Sequence, residues 1–501
     1  MSTDDKRFPK LVLGVWLAAA VLLLGFLAAQ AVMPVRQDRP VTPAVSQEPA
    51  PHVVKELPTA IPDFDAEQSE YVLLAWNNLG MHCISDSDPW WVLLPPANDL
   101  FAQLVRRGPS PEIVTEGVEL TYRVERGFET PSAHSRFWEF SRSLFGKELP
   151  RDIGLSDNGL SGSMRLDAER RAFAAELVPV VPYPDDGSFN PYPIFHVEAR
   201  DAASGELLAA TSMVAPTSTE MGCRNCHGGE WKVQGVAGFS AQTSREVLRV
   251  HDRNTGTDLL ARAERGEPKL CQSCHADPVL GAAGQPERLG FPAAMHGWHA
   301  NYIQGRGAEA CGYCHPSAAT SATRCLRGLH DAKGLDCTSC HGTLEDHALS
   351  LLKKEQELGK ERAATLMANI TPRMVASSED IVGRTPWLME PDCASCHDFA
   401  SKPERGTATA FNKWTSGEPD ALYRLRRDDA GAIMCEACHG STHALYPARS
   451  PYGRDRDNIQ PLQYQGLAKT IGAGGNCAVC HVVDMDPESS IHHPLIIGEG
   501  N

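Results

Sequence analysis

The pattern Cys-x-x-Cys-His begins at Cys223, Cys271, Cys311, Cys337, Cys393, Cys435 and Cys477, and takes up fourteen of the sixteen cysteines of the chain. Composition alone predicts about 0.02 such patterns in 501 residues, so the repetition is a chemical requirement. A zinc ribbon combines two Cys-x-x-Cys pairs without a histidine beside each. A disulfide framework fixes no third residue, and a thioredoxin-like site uses one pair. Covalent attachment of haem c needs all three: two thiols add to the porphyrin vinyl groups as thioethers, which holds the adjacent imidazole against one face of the iron. The attaching pairs are then Cys223/Cys226, Cys271/Cys274, Cys311/Cys314, Cys337/Cys340, Cys393/Cys396, Cys435/Cys438 and Cys477/Cys480. The proximal imidazoles are His227, His275, His315, His341, His397, His439 and His481, for seven covalent haems c.

Seven irons take seven distal ligands. After residue 222 the remaining histidines are His251, His296, His299, His330, His347, His443 and the doublet His492/His493, seven when the doublet counts once. Two imidazoles per iron characterise a low-potential carrier, since an occupied sixth position blocks substrate and a Met ligand would raise the potential. His296 and His299 lie three apart in "MHGWHANY" and share a helix face, and His347 stands near the start of a predicted helix with Leu344 and Leu351 on its face. In "MCEACHGSTHALYP", a helix would project His439 and His443 from one side, so they cannot bind opposite faces of one iron. The spacing therefore assigns His443 to a neighbouring haem. Motifs three and four start 26 residues apart, against 40 to 56 for the others, which makes their haems neighbours.

The expected fold class is multidomain: an N-terminal transmembrane helix, a β-sandwich, then a mostly α or irregular multihaem domain. Residues 1–33 carry Lys6, Arg7 and Lys10 before an uncharged run from Leu11 to Met33, long enough to span a bilayer as a signal-anchor. Ala29-Gln30-Ala31 is the competing cleavage site. Residues 34–68 read as a Pro-rich linker, and 69–217, with short β-forming runs such as "YVLLAWNN" and "YPIFHVEARD", as the sandwich-like domain. Residues 218–501 are the heptahaem domain, about forty residues per haem, so porphyrin replaces much of an apolar core. His196 alternates with Phe195 and Val197 and faces away from them. Cys83 and Cys325 stand outside the motifs; an oxidising compartment would allow a bridge between them, but nothing in the sequence brings them together. The net charge of −16 excludes general nucleic-acid affinity and suits a redox partner with a basic patch.

The phrases "NNLGMHC", "NPYPIFHVEARDAASGELLAATSMVAPTSTEMGCRNCHGG", "CEACHGSTHALYP", "DNIQPLQYQG" and "GGNCAVCH" resemble a family of bacterial multihaem cytochromes c with an N-terminal β-domain, over most of residues 70–501. The resemblance implies electron transfer outside the cytoplasmic membrane, with redox proteins or quinol-linked membrane complexes as partners. The chain is expected as a single-pass protein of the cytoplasmic membrane with its haem domain in the periplasm or outside the cell. An electron carrier is favoured over an enzyme. A reductase of a nitrogen or sulfur oxyanion with one open haem, and a subunit of an extracellular haem polymer, stay open as alternatives.

Overall fold

The computed structural model describes residues 57–85, 94–228, 241–316, 323–391, 393–397, 409–415, 432–473 and 476–482, which all lie in one compact unit, Glu48–Asn501. The run "YVLLAWN" forms β1 (Tyr71–Asn77), with six consecutive buried residues. A strand without alternation must be covered on both faces, and β1 is. Besides β2 (His82–Cys83), the strands that follow are β3 (Asn98–Arg106), β4 (Glu112–Val114), β5 (Val118–Val124), β6 (Ser161–Asp167), β7 (Ala172–Val178), β8 (Ile194–Asp201), β9 (Leu207–Val214) and β10 (Thr217–Ser218). Eight of them make one sheet in the order β1-β3-β7-β6-β5-β8-β9, with β4 on β3. The two ends of this path, β1 and β9, pack against each other, so the sheet curls nearly into a barrel. Its interior holds Leu73, Leu100, Leu104, Tyr122, Phe195 and Val197. The short β2 and β10 pair in parallel beside it.

Six helices matter to the site: α1 (Ala241–Thr255), α2 (Phe291–His299), α3 (Leu344–Glu357), α4 (Glu361–Met367), α5 (Cys435–His439) and α6 (Ile459–Gln465). Helix α3 is capped by the Thr343 side chain, which accepts from Asp346 N, and has Glu345 and Asp346 in its first turn, where carboxylates meet the positive end of the helix dipole. Gly297 lets α2 lie directly on α3, since a Cβ there would stand 2.9 Å from both Leu352 methyls.

Helix α6 lies along the seam between β1 and β9. Gln460 Oε1 accepts from Ala75 N at 2.8 Å and its amide nitrogen donates to Ala75 O. Tyr464 donates to Leu73 O at 2.5 Å, and Gln463 accepts from Thr211 Oγ1 and donates to Ala210 O, each at 2.8 Å. Both strands that end the sheet thus find partners for groups that an open edge would leave unpaired. The phrase "DNIQPLQYQG" is this plug.

The expected fold class is corrected. A sandwich needs two sheets, but the first half of β6 pairs with β5 (Ser161 opposite Arg123) and its second half with β7 (Arg165 opposite Ala174), which joins all eight strands into one. The region after residue 218 is not mostly helical. Its longest described helices have 15 and 14 residues and the others nine or fewer. Several motif cysteines open only a single 3-10 turn, as at Cys271–Ser273 and Cys477–Val479. Helix α5 stops at Gly440, whose φ is +88°, a backbone region that favours glycine. No helix among the described residues is long and apolar enough to cross a membrane, and the segment Leu11–Met33 expected to do so lies outside them.

Candidate functional site

The motif histidines meet other histidines in pairs. His227 faces His299 with ring centroids 6.3 Å apart, His275 faces His251 at 6.3 Å, and His315 faces His296 at 6.1 Å. His397 faces His330 at 6.2 Å, and His341 faces His443 at 6.2 Å. Each pair joins one histidine from a motif to one from outside. The separation is almost constant while the angle between ring planes runs from 11° to 90°. Direct ring packing would couple distance to angle. An iron between two imidazoles, with metal–nitrogen bonds of about 2 Å and roughly 1 Å from each ring nitrogen to its centre, puts the centroids about 6 Å apart at any rotation.

Hydrogen bonds select the ring nitrogen that faces its partner. Nδ1–H donates to a backbone carbonyl in His275 (Leu289 O, 2.8 Å), His296 (Pro292 O, 2.8 Å), His299 (Met295 O, 2.7 Å) and His443 (Leu79 O, 2.9 Å). These bonds leave Nε2 as the ligating atom, the arrangement that orients and strengthens imidazole ligands. In α2 the acceptors are the carbonyls four residues earlier, so one helix aims His296 at the third motif and His299 at the first. His443 is oriented differently. The helix ends before it, so it does not share a face with His439, and it is held by the loop of "NNLGMHC". There Asn77 Oδ1 accepts from Gly80 N at 2.5 Å and Leu79 N at 3.1 Å, and Gly80, at φ +94°, packs on Ala444.

Burial keeps these rings neutral and therefore able to ligate. It pushes the His296 pKa down to about 3, with His315 beside it as the second cause, and lowers those of His227, His251, His275, His299, His330 and His443. His341 and His347 are held well below the usual value, first by burial and then by neighbouring cations and imidazoles. His315 is the exception, raised by the Cys325 thiol beside it against the effect of burial.

Of the other expected distal ligands, His347 approaches the motif histidine His341, which also faces His443. Its ring packs edge-on against His296 at 4.4 Å and lies 5.8 Å from His341, with Nδ1 buried and unbonded. His492 and His493 lie outside the described residues. His196 donates or accepts across the sheet with Ser212 Oγ at 2.9 Å.

The chain folds back over the end of three motif pairs and gives Cys274, Cys438 and Cys480 protein neighbours. Cys274 Sγ accepts from Gln285 Nε2 at 3.4 Å, and its carbonyl accepts from Gln285 N at 2.8 Å. Cys438 and Cys480 are partly buried against the apolar cluster outside β1 and β3. Their carbonyls accept from Ile471 N at 3.0 Å and Gly108 N at 3.2 Å. Cys393, by contrast, is exposed.

Motifs six and seven therefore sit on the barrel. Met434, Ala437 and Val479 pack on Val72, Leu74, Trp76 and Phe101, the outer face of β1 and β3. Buried Arg107 donates to Val479 O at 3.0 Å and Ala478 O at 2.7 Å. His481 Nδ1 reaches Pro109 O at 3.2 Å. At the other end of the barrel Arg327, 2% exposed, grips Asp457 through Nε (2.9 Å) and Nη2 (2.7 Å) and donates from Nη1 to Gly80 O at 2.6 Å. Sequence reasoning missed Arg107, Arg327 and the Leu79 carbonyl. Only the polar residues of "NNLGMHC" and "DNIQ" hinted at a built turn.

His82, half-buried and bonded through Nε2 to Asn78 Oδ1 at 2.7 Å, has its pKa lowered by burial from 6.5 to about 4. Between those values the folded chain binds fewer protons at this ring than the unfolded chain. The ring's contribution to stability is therefore complete above pH 6.5 and is lost as the pH falls toward 4. His82→Gln should weaken the fall of the urea midpoint across that window. An equally steep fall in parent and variant would assign the acid sensitivity elsewhere.

No family of known sequences matches the chain, and no curated protein or solved structure compared with it is similar. Among the described residues, no three or more His, Cys, Asp or Glu side chains converge to hold a metal ion. Each gap offers two protein ligands. That is fewer than a structural zinc takes, and the number a porphyrin iron takes.

Proposed function

We propose that the chain is an extracytoplasmic electron carrier of the multihaem cytochrome c class, with haem c attached at the seven Cys-x-x-Cys-His motifs. The observation that carries this reading is the set of five facing imidazole pairs at 6.1–6.3 Å, each joining a motif to an outside histidine. Bound there, haem would supply one-electron chemistry at iron. The chain would supply two neutral imidazoles per iron, Nδ1 bonds that fix their orientation, and burial that excludes water.

Four of the motifs also lie near one another. The Cys311 and Cys337 side chains are within interaction range, Cys340 lies within electrostatic reach of Cys396, and Cys314 within reach of Cys223 and Cys226. This gives a contiguous route through motifs one, three, four and five. The net charge of −16 supports docking to a basic redox partner, with an association rate that falls as salt rises.

Protein matured with a haem-attachment system should carry seven covalent haems, be low-spin when ferric, and bind almost no carbon monoxide when reduced. A folded preparation with four or fewer haems by intact mass would reject the attachment reading. Stoichiometric carbon monoxide binding at one haem, with turnover of nitrite, hydroxylamine or a sulfur oxyanion, would replace the carrier with a reductase.

A further inference from the structure

Cys83 and Cys325 are the two cysteines that belong to no motif, and the fold brings them together. Cys325 packs against Met81, two residues before Cys83, and the Cys83 side chain is the first cause that holds the Cys325 thiol above its usual pKa, so the two thiols lie within interaction range. Both are held in place by their backbones. Cys83 ends β2, where it pairs with Ser218, and the neighbouring Ile84 N donates to Ser218 O at 2.9 Å. Cys325 packs against Met81, Tyr192 and Tyr452, two residues before Arg327, whose bonds to Asp457 and Gly80 O tie this segment to the turn that leads into β2. The Cys325 thiol also lies beside the ring of His315 and is the first cause that raises its pKa. A disulfide demands closely placed sulfurs on backbones that need not move, and the fold holds both backbones while it brings the two segments together.

We propose that Cys83 and Cys325 are a modification site: a reversible disulfide that ties the strand beside the barrel to the segment between the third and fourth motifs. Its formation breaks two S–H bonds and makes one S–S bond. The two electrons and two protons pass by thiol–disulfide exchange to an incoming disulfide, which leaves as two thiols. Both residues keep part of their surface exposed, and exchange begins at Cys83, since burial contributes to the raised pKa of the Cys325 thiol. Oxidation removes the thiol beside His315. On the haem reading proposed above, the redox state of the pair therefore changes the setting of the third-motif ligand, and with it the potential of that iron.

The test uses the full-length mature protein, treated with oxidised glutathione or left reduced, then denatured, alkylated with iodoacetamide and weighed. If the motifs hold haem, sixteen cysteines less fourteen leaves two, so the reduced protein should gain two adducts. The oxidised protein should gain none until a phosphine reductant restores both. Digestion without reductant should yield a peptide containing Cys83 linked to one containing Cys325, and Cys83→Ser should abolish that link. Two adducts on the oxidised protein, or glutathione attached separately to each cysteine, would overturn the proposal. Failure of the haem reading would appear separately, as adducts on motif cysteines, while the linked peptide still reports on Cys83 and Cys325 in unaltered protein.

Discussion

Replacement of Arg327 by Met is expected to destabilise the protein by about 3–5 kcal/mol, the range for breaking a buried ion pair from one side. The Arg327 and Asp457 side chains are 2% and 3% exposed, so the variant leaves a carboxylate buried without its counter-ion. The carbonyl of Gly80 also loses the Nη1 donor it accepts from at 2.6 Å. The measurement is a urea unfolding curve of the mature protein. The double variant Arg327→Met, Asp457→Leu should recover most of the loss, because the cost comes from the orphaned charge more than from the missing attraction. A single variant within about 1 kcal/mol of the parent would show that Asp457 reaches water or another partner.

Replacement of His443 by Ala should give one high-spin iron that binds carbon monoxide in the reduced state, with the covalent haem count unchanged. On the proposed function His443 is the axial partner of His341, 6.2 Å across the gap, and no thioether depends on it. Optical and electron paramagnetic resonance spectra before and after addition of carbon monoxide measure the effect. His347→Ala supplies the contrast. Its ring lies edge-on to His296, which faces His315, and its 5.8 Å approach to His341 competes with that of His443, so if His443 holds that iron all irons should stay low-spin. A high-spin iron in the His347 variant with none in the His443 variant would reverse the two roles.

The local motifs of this chain are plainer in its sequence than its architecture is. Cys-x-x-Cys-His is a local pattern whose three residues act together, so spacing alone identifies it. Pairing is not local: His251 lies before its motif partner His275, His330 lies 67 residues before His397, and His443 comes 102 residues after His341. The histidine total could be counted, but the pairs needed the fold. His347 attracted attention because its helix faces inward, and inward on α3 means toward both His296 and the motif histidine His341. The runs that become β1, β5, β7, β8 and β9 read as β-forming and β3 and β6 do not, and whether the strands stack as two sheets or close into one depends on which partners β6 takes on each half of its length. The unbroken apolar run of β1 did carry a signal, since only a strand covered on both sides can be so uniform, and motifs six and seven provide that cover.

The plug across the seam has a consequence for how the chain comes to be folded. Ala75 and Leu73 receive their partners from residues 385 and 391 positions later. Until those residues emerge, the first strand waits with unpaired backbone groups and an apolar outer face, a template for pairing with other chains. Contacts this distant in sequence slow folding. The intervening stretch holds six of the seven motifs, so the period of exposure coincides with the period in which their cysteines are available to whatever machinery modifies them. Completion of the β-structure is thus coupled to delivery of the last part of the chain, and truncation before residue 459 should yield aggregated protein even though every strand is present.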